Sequence, residues 1–146
     1  MRVVFVDTGF WVARFNPNDS LHGRATEVAT SLGAVRLLTS EMVLSEFLAS
    51  FSPVPLRSSA VSAVSAVSAV SVVRKIMGNP NVEVVPQTSI QFRDAFDHYA
   101  SRADKAWSLT DCASFRLMTE RGVSEALAHD HHFEQAGFKA LLRVPA

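Results

Sequence analysis

Cysteine is almost missing from this chain. Cys112 stands alone among 146 residues, so no disulfide can close within it, and a reducing, cytoplasmic setting is expected. Long apolar runs are missing too. The opening stretch Arg2-Val3-Val4-Phe5-Val6 is too short for a signal peptide or a membrane helix. The low-charge segment from Ser58 to Val73 is broken by serine at every third position and makes a poor membrane span. Nor is there an excess of charge of either sign: 14 Lys and Arg balance 14 Asp and Glu. A protein that grips nucleic acid through many phosphate contacts carries a basic surplus, so composition argues mildly against stable nucleic-acid binding. Transient contact around a metal centre stays compatible, because the ion itself supplies local positive charge.

What is present suffices for a core. At 48% hydrophobic and 19% charged residues, the chain is expected to fold as a single domain over 1–146 without cross-links. The apolar, β-branched run Arg2 to Val6 reads as a buried strand. Gly9 to Phe15 reads as a helix stopped by Asn16-Pro17-Asn18-Asp19, and Leu21 to Leu32 as a second helix. Val35 to Leu38 is the next strand. Thr39 or Ser40 then caps a helix that carries Val43, Leu44, Phe47, Leu48 and Phe51 on one face. Residues 59–73 repeat Ser, Ala and Val in threes. That period slips about 60° per step around a helix, so the segment is expected to be helical with a loose pattern, coil being the fallback. Val82 to Val85 is a third strand. Ser89 to Arg102 is a helix with Phe92, Phe96 and Tyr99 on one face and Asp94, Asp97 and His98 on its solvated side. Ser108-Leu109-Thr110-Asp111 resembles a capping box opening a helix to about Glu120, with Gly122 as its stop. Glu125 to Ala128 and Lys139 to Val144 complete the strands. Strands alternating with helices imply an α/β fold with a mostly parallel sheet covered on both faces.

The acids fall where such a sheet builds a site, beyond the carboxyl ends of its strands. Asp7 follows the first strand, Asp130 follows the fourth, and Asp111 sits in the first turn of an intervening helix. Each has a plainer reading: a turn residue for Asp7, a capping acid for Asp111, a loop acid for Asp130. Glu46 lies off the centre of its helix's apolar face and reads as solvated. Converging carboxylates repel unless a cation intervenes, and oxygen-only ligands suit a hard ion such as Mg²⁺ or Mn²⁺. Such an ion can orient a water for attack on phosphorus.

Four blocks carry a resemblance. Val4-Phe5-Val6-Asp7-Thr8-Gly9-Phe10-Trp11, Thr39-Ser40-Glu41-Met42-Val43-Leu44-Ser45-Glu46-Phe47-Leu48, Trp107-Ser108-Leu109-Thr110-Asp111-Cys112-Ala113-Ser114-Phe115 and Ala126-Leu127-Ala128-His129-Asp130-His131-His132-Phe133 stand in this order, with Gln135-Ala136-Gly137-Phe138 after them. In these pieces the sequence is similar to PIN-domain proteins, and to the VapC-type toxins of type II toxin–antitoxin pairs in particular. The resemblance implies a three-layer α/β/α sandwich and Mg²⁺-dependent hydrolysis of RNA, leaving a 3′-hydroxyl and a 5′-phosphate. It implies Asp7, Glu46, Asp111 and Asp130 as the catalytic, metal-holding acids, so it reverses the plain reading of Glu46. It also implies an RNA substrate, a small antitoxin partner and a homodimer. Thr8 and Thr110, next to two of the acids, are expected to orient them, and Arg102 and Lys105 to meet a phosphate. The Ser-Ala-Val triplets depart from the family's pattern and bear on the partner surface more than on catalysis.

Three other assignments are weaker. His129-Asp130-His131-His132 lacks zinc-type spacing, and on an extended segment its side chains would diverge; one of its histidines is instead expected at the edge of the acidic site or on RNA. An aspartyl-nucleophile phosphohydrolase would read Asp-x-Asp where this chain has Asp7-Thr8-Gly9. Trp11 and Trp107 fit core packing better than base stacking. An RNA-processing nuclease without an antitoxin, and a catalytically silent binding module with the same fold, are the alternatives to a toxin. The presence of all four acids counts against the last.

Overall fold

The computed structural model describes residues 1–51 and 69–143. The chain begins with β1 (Val3–Val6), α1 (Thr8–Phe15), α2 (His22–Ser31), β2 (Arg36–Ser40) and α3 (Glu41–Ser50). It continues with α4 (Ala69–Gly78), β3 (Val82–Val85), α5 (Ser89–Ser101) and α6 (Leu109–Arg121). Last come β4 (Glu125–Leu127), α7 (His131–Gln135) and β5 (Lys139–Ala140). All pairings are parallel, in the order β3-β2-β1-β4-β5. The helices make this an α/β/α sandwich, as expected.

The sheet's centre explains its sequence. Val4, Phe5 and Val6 are fully buried, because a central parallel strand is covered on both faces and cannot alternate apolar with polar. Phe5 packs towards Phe133, and Phe115 meets that ring edge-on at 5.0 Å, joining β1, α6 and α7 in one core. Trp11 and Trp107 are buried in that core, as their packing reading requires. Strand order reverses on either side of β1: the chain moves outward to β2 and β3, then returns to β1's other edge with β4. Such a reversal leaves a crevice at the carboxyl ends of the two diverging strands. Here the Asp7 amide donates to the Leu127 carbonyl at 3.2 Å, pinning the ends of β1 and β4 together at that point.

Several expectations are corrected. β5 is two residues, not six; Leu141 and Leu142 are buried, but in a turn, and Val144 lies outside the described residues. Residues 59–68 of the Ser-Ala-Val segment also lie outside them, whereas 69–73 are helical within α4, which runs on to Gly78. Val72, Val73 and Ile76 bury its inner face. The histidine segment is not extended: His131 opens α7, with Asp130 as its N-cap. α5 is turned from its expected orientation, although Asp97 is exposed as expected. Ala95 is its buried residue, Asp94 approaches Arg116 at 4.0 Å and the His98 ring meets Trp107, while Phe92, Phe96 and Tyr99 stand about half exposed.

Candidate active site

Asp7 ends β1 and serves as the N-cap position of α1. The strand's burial carries the carboxyl inward, and it is only 9% exposed. Thr8 follows into the core and donates to the Val43 carbonyl at 3.5 Å, drawing the start of α1 against α3. From α3, Glu46 reaches the same space from an exposed position, so the helix wheel places it rightly in solvent and that solvent is the cleft. Asp111 is held by the α6 cap. Its amide donates to Ser108 Oγ, and its carboxylate accepts from the Ser108 amide, both at 3.0 Å. Asp130 caps α7 by accepting from the His132 amide at 3.0 Å.

These four carboxylates line one open cleft of about 480 Å³ beside the end of β1. The convergence shows in the titration of Asp7 and Asp111. Burial above all, and then Asp111, Glu46 and Asp130, push the Asp7 carboxyl from 3.8 up to about 7, against an opposing pull from the Thr8 amide. Asp111 is also raised, chiefly by burial and further by Asp130, with Ser108 and His132 pulling the other way. No lysine or arginine lines this cleft among the described residues. Crowded carboxylates with no guanidinium or ammonium between them are a donor set for a hard divalent cation, so the residues present fit one.

The remaining expected residues divide between the cleft and its surroundings. Thr8 lines the cleft, but Thr110 does not, and the hydroxyl that holds Asp111 belongs to Ser108. Arg102 is tied to Asp104 by two bonds of 2.9 and 3.1 Å, with its guanidinium 4.8 Å from the Trp107 ring centre. Lys105 lies beside an adjoining cavity, away from the acids. Of two further lining residues, Asp19 went unread, whereas His132 is a histidine of the run expected at the edge of the acids. Asp19 caps its own turn by accepting from the Leu21 amide at 2.9 Å, and within Asn16-Pro17-Asn18-Asp19 it looks like ordinary turn punctuation. His132 brings Nε2 to 3.4 Å from Asp130, while its Nδ1 lies 3.3 Å from Gln135 Oε1, which also accepts from the Trp107 indole at 3.0 Å. The N-cap pattern at Asp130 was the signal for this short helix. Folding brings donor atoms of Asp130, His131 and His132 within 4.8 Å of one another, so the divergence expected of an extended segment does not hold. These three donors are one short of the four that close a structural zinc site.

A parallel sheet that collects carboxylates at its reversal point defines the class: an α/β protein with an acidic cleft suited to a divalent cation. No family model matches the chain. It is 32% identical over 136 residues to the 23S rRNA-specific endonuclease VapC20 of Mycobacterium tuberculosis, in strains CDC 1551 and H37Rv, covering 93% of this chain and 95% of that protein. The crystal structure of M. tuberculosis VapC20, described as a Sarcin-Ricin loop cleaving toxin, superposes with a TM-score of 0.76 at 27% identity over 92% of this chain and 95% of that one. The chain belongs to the VapC-type PIN-domain toxin ribonucleases.

Proposed function

We propose that this protein is a Mg²⁺-dependent endoribonuclease and the toxin of a type II toxin–antitoxin pair, with Asp7, Glu46, Asp111 and Asp130 as its metal-holding residues. Mn²⁺ is the natural substitute, having the same preference for oxygen. The observation that carries this reading is the convergence of four acids from four separate elements on a cleft without lysine or arginine. The relatives' stated activity supports RNA as substrate and makes ribosomal RNA the first to try. The same family membership supports an antitoxin partner and a homodimer. Among the described residues no helix is long and apolar enough to cross a membrane, and action in the cytoplasm fits that observation.

The bound ion would supply Lewis-acid stabilisation of charge on phosphate and a nucleophile at neutral pH. The chain's own residues do the arranging. Asp7, rigid at the strand end, and Asp111, clamped by the α6 cap, fix two oxygen donors; Glu46 and Asp130 close the set from the more exposed side. Ser108 orients Asp111, and His132 orients Asp130. Thr8 keeps α1 packed against α3, so the spacing of Asp7 and Glu46 is preserved.

Purified protein incubated with ribosomal RNA tests this reading. Cleavage is expected with Mg²⁺ and not with EDTA. Asp7→Asn and Asp111→Asn should each lower the rate by more than the roughly 10- to 100-fold that loss of an outer-shell partner costs. Variants that cut as fast as the parent, or cleavage indifferent to chelation, would overturn it.

A further inference from the structure

A second concavity adjoins the acidic cleft. It measures about 420 Å³, lies where α5 gives way to the loop before α6, and is walled by Tyr99, Arg102, Lys105 and Trp107 with small alanines between them. Ala106, exposed at the surface, lines both concavities, so they meet across a single small side chain. The chemistry changes at that residue. On one side stand carboxylates; on the other, an aromatic surface and cationic side chains.

Two of these side chains are already engaged. The Trp107 indole donates to Gln135, and its buried ring lies against the Arg102 guanidinium, itself clamped by Asp104. They form a rigid floor. The other two are available. Tyr99 is 49% exposed, and its hydroxyl has no hydrogen-bond partner among the described residues. The half-buried Lys105 ammonium lies within electrostatic reach of Asp104, the carboxylate that clamps Arg102, but closes no salt bridge with it. An exposed aromatic face and an ammonium over a pre-set floor match a nucleotide: a base to stack and a phosphate to neutralise. The occupant favoured is the nucleic acid that already enters the neighbouring cleft.

We propose that this cavity holds a nucleotide flanking the scissile bond, its base stacked on Tyr99 and its phosphate paired with Lys105. The inference rests on the nuclease reading for the neighbouring cleft and extends it along the strand. It also bears on the chain's zero net charge. With no basic surplus overall, the strand is guided by one stack and one local ion pair.

The test uses the full chain and a fluorescein-labelled single-stranded RNA of about 12 nucleotides, within the span such sites cover. Binding is followed by anisotropy in EDTA across a series of KCl concentrations. Tyr99→Ala should weaken binding on the order of 10-fold, as loss of one base stack does, while Tyr99→Phe stays within about twofold. Lys105→Gln should lower the slope of log affinity on log salt by about 0.7, the value for one phosphate contact on a single strand. With Mg²⁺, Tyr99→Ala should raise KM and leave kcat in place, the mark of lost substrate binding and not of lost chemistry. Parent-like affinity for Tyr99→Ala, an unchanged salt slope for Lys105→Gln, or no RNA binding by the parent would each overturn the proposal. The Asp7→Asn cleavage assay separates the two claims. If that variant cuts like the parent while Tyr99→Ala binds weakly, the nuclease reading falls and the nucleotide cavity stands. The opposite pattern removes the cavity alone.

Discussion

In the absence of a cation the Asp7 carboxyl holds its proton up to about pH 7, because burial and three neighbouring carboxylates disfavour its charge. The same side chain in an unfolded chain loses that proton near its ordinary value of 3.8. Between those two values the folded state therefore binds more protons than the unfolded state, and stability falls as pH rises through the window. The cost above pH 7 is on the order of a few kcal/mol. Asn at this position carries no such penalty. In EDTA at pH 8, Asp7→Asn should melt several degrees above the parent, and the gap should shrink towards pH 4, close to the unfolded carboxyl's 3.8, where little of the penalty remains. Melting curves at the two pH values check this, and an Asp7→Asn protein that melts at or below the parent at pH 8 would contradict it. Sequence alone made Asp7 legible, since an acid that follows a buried strand has few reasons to be there. Glu46 was legible only through the resemblance, because a wheel distinguishes core from solvent and not a cleft from open water.

Caps of the same design open α5 and α6, and they allow fold and site to be separated at the level of elements. Thr88 and Gln91 form the box for α5; Ser108 and Asp111 form it for α6. Thr88→Ala and Ser108→Ala should each cost about 1 kcal/mol of stability, the usual worth of a capping side chain. Only Ser108→Ala should also weaken Mg²⁺ binding, because only that box fixes a carboxylate of the cleft. Chemical denaturation paired with Mg²⁺ titration distinguishes the outcomes; equal metal affinity in the two variants would detach the cap from the site. The α6 box could be read from Ser108-Leu109-Thr110-Asp111, since its donors and acceptors lie within four residues. Elements decided by distant packing could not. α7 is one short turn, with no length over which to show a period. α5 has two plausible faces, and the half-polar surface of α6, with Arg116 and the edge of Trp107, takes the one bearing Asp94 and His98. Leu141 and Leu142 are as apolar as a strand and as buried as one, but they sit in a turn after β5 has ended.

At the scale of the whole molecule, topology does what sequence distance conceals. Asp7 and Asp130 are 123 positions apart, yet parallel pairing of Phe5 with Ala126 and Val6 with Leu127 sets the two strand ends side by side. Alternating strands and helices announced the parallel sheet, and its general rule announced the edge at which to look. The strand order was not legible, and neither was Asp19's place in the cleft's wall, since both depend on which elements become neighbours. A cleft that gathers Asp7, Glu46, Asp111 and Asp130 with no lysine or arginine among the described residues of its lining invites a divalent cation. Diffraction from crystals soaked in Mn²⁺ measures this directly. An anomalous peak is expected within about 2.5 Å of carboxylate oxygens of Asp7 and of at least one of Glu46, Asp111 and Asp130. No peak in the cleft, or one held by His131 and His132 and remote from Asp7, would contradict it.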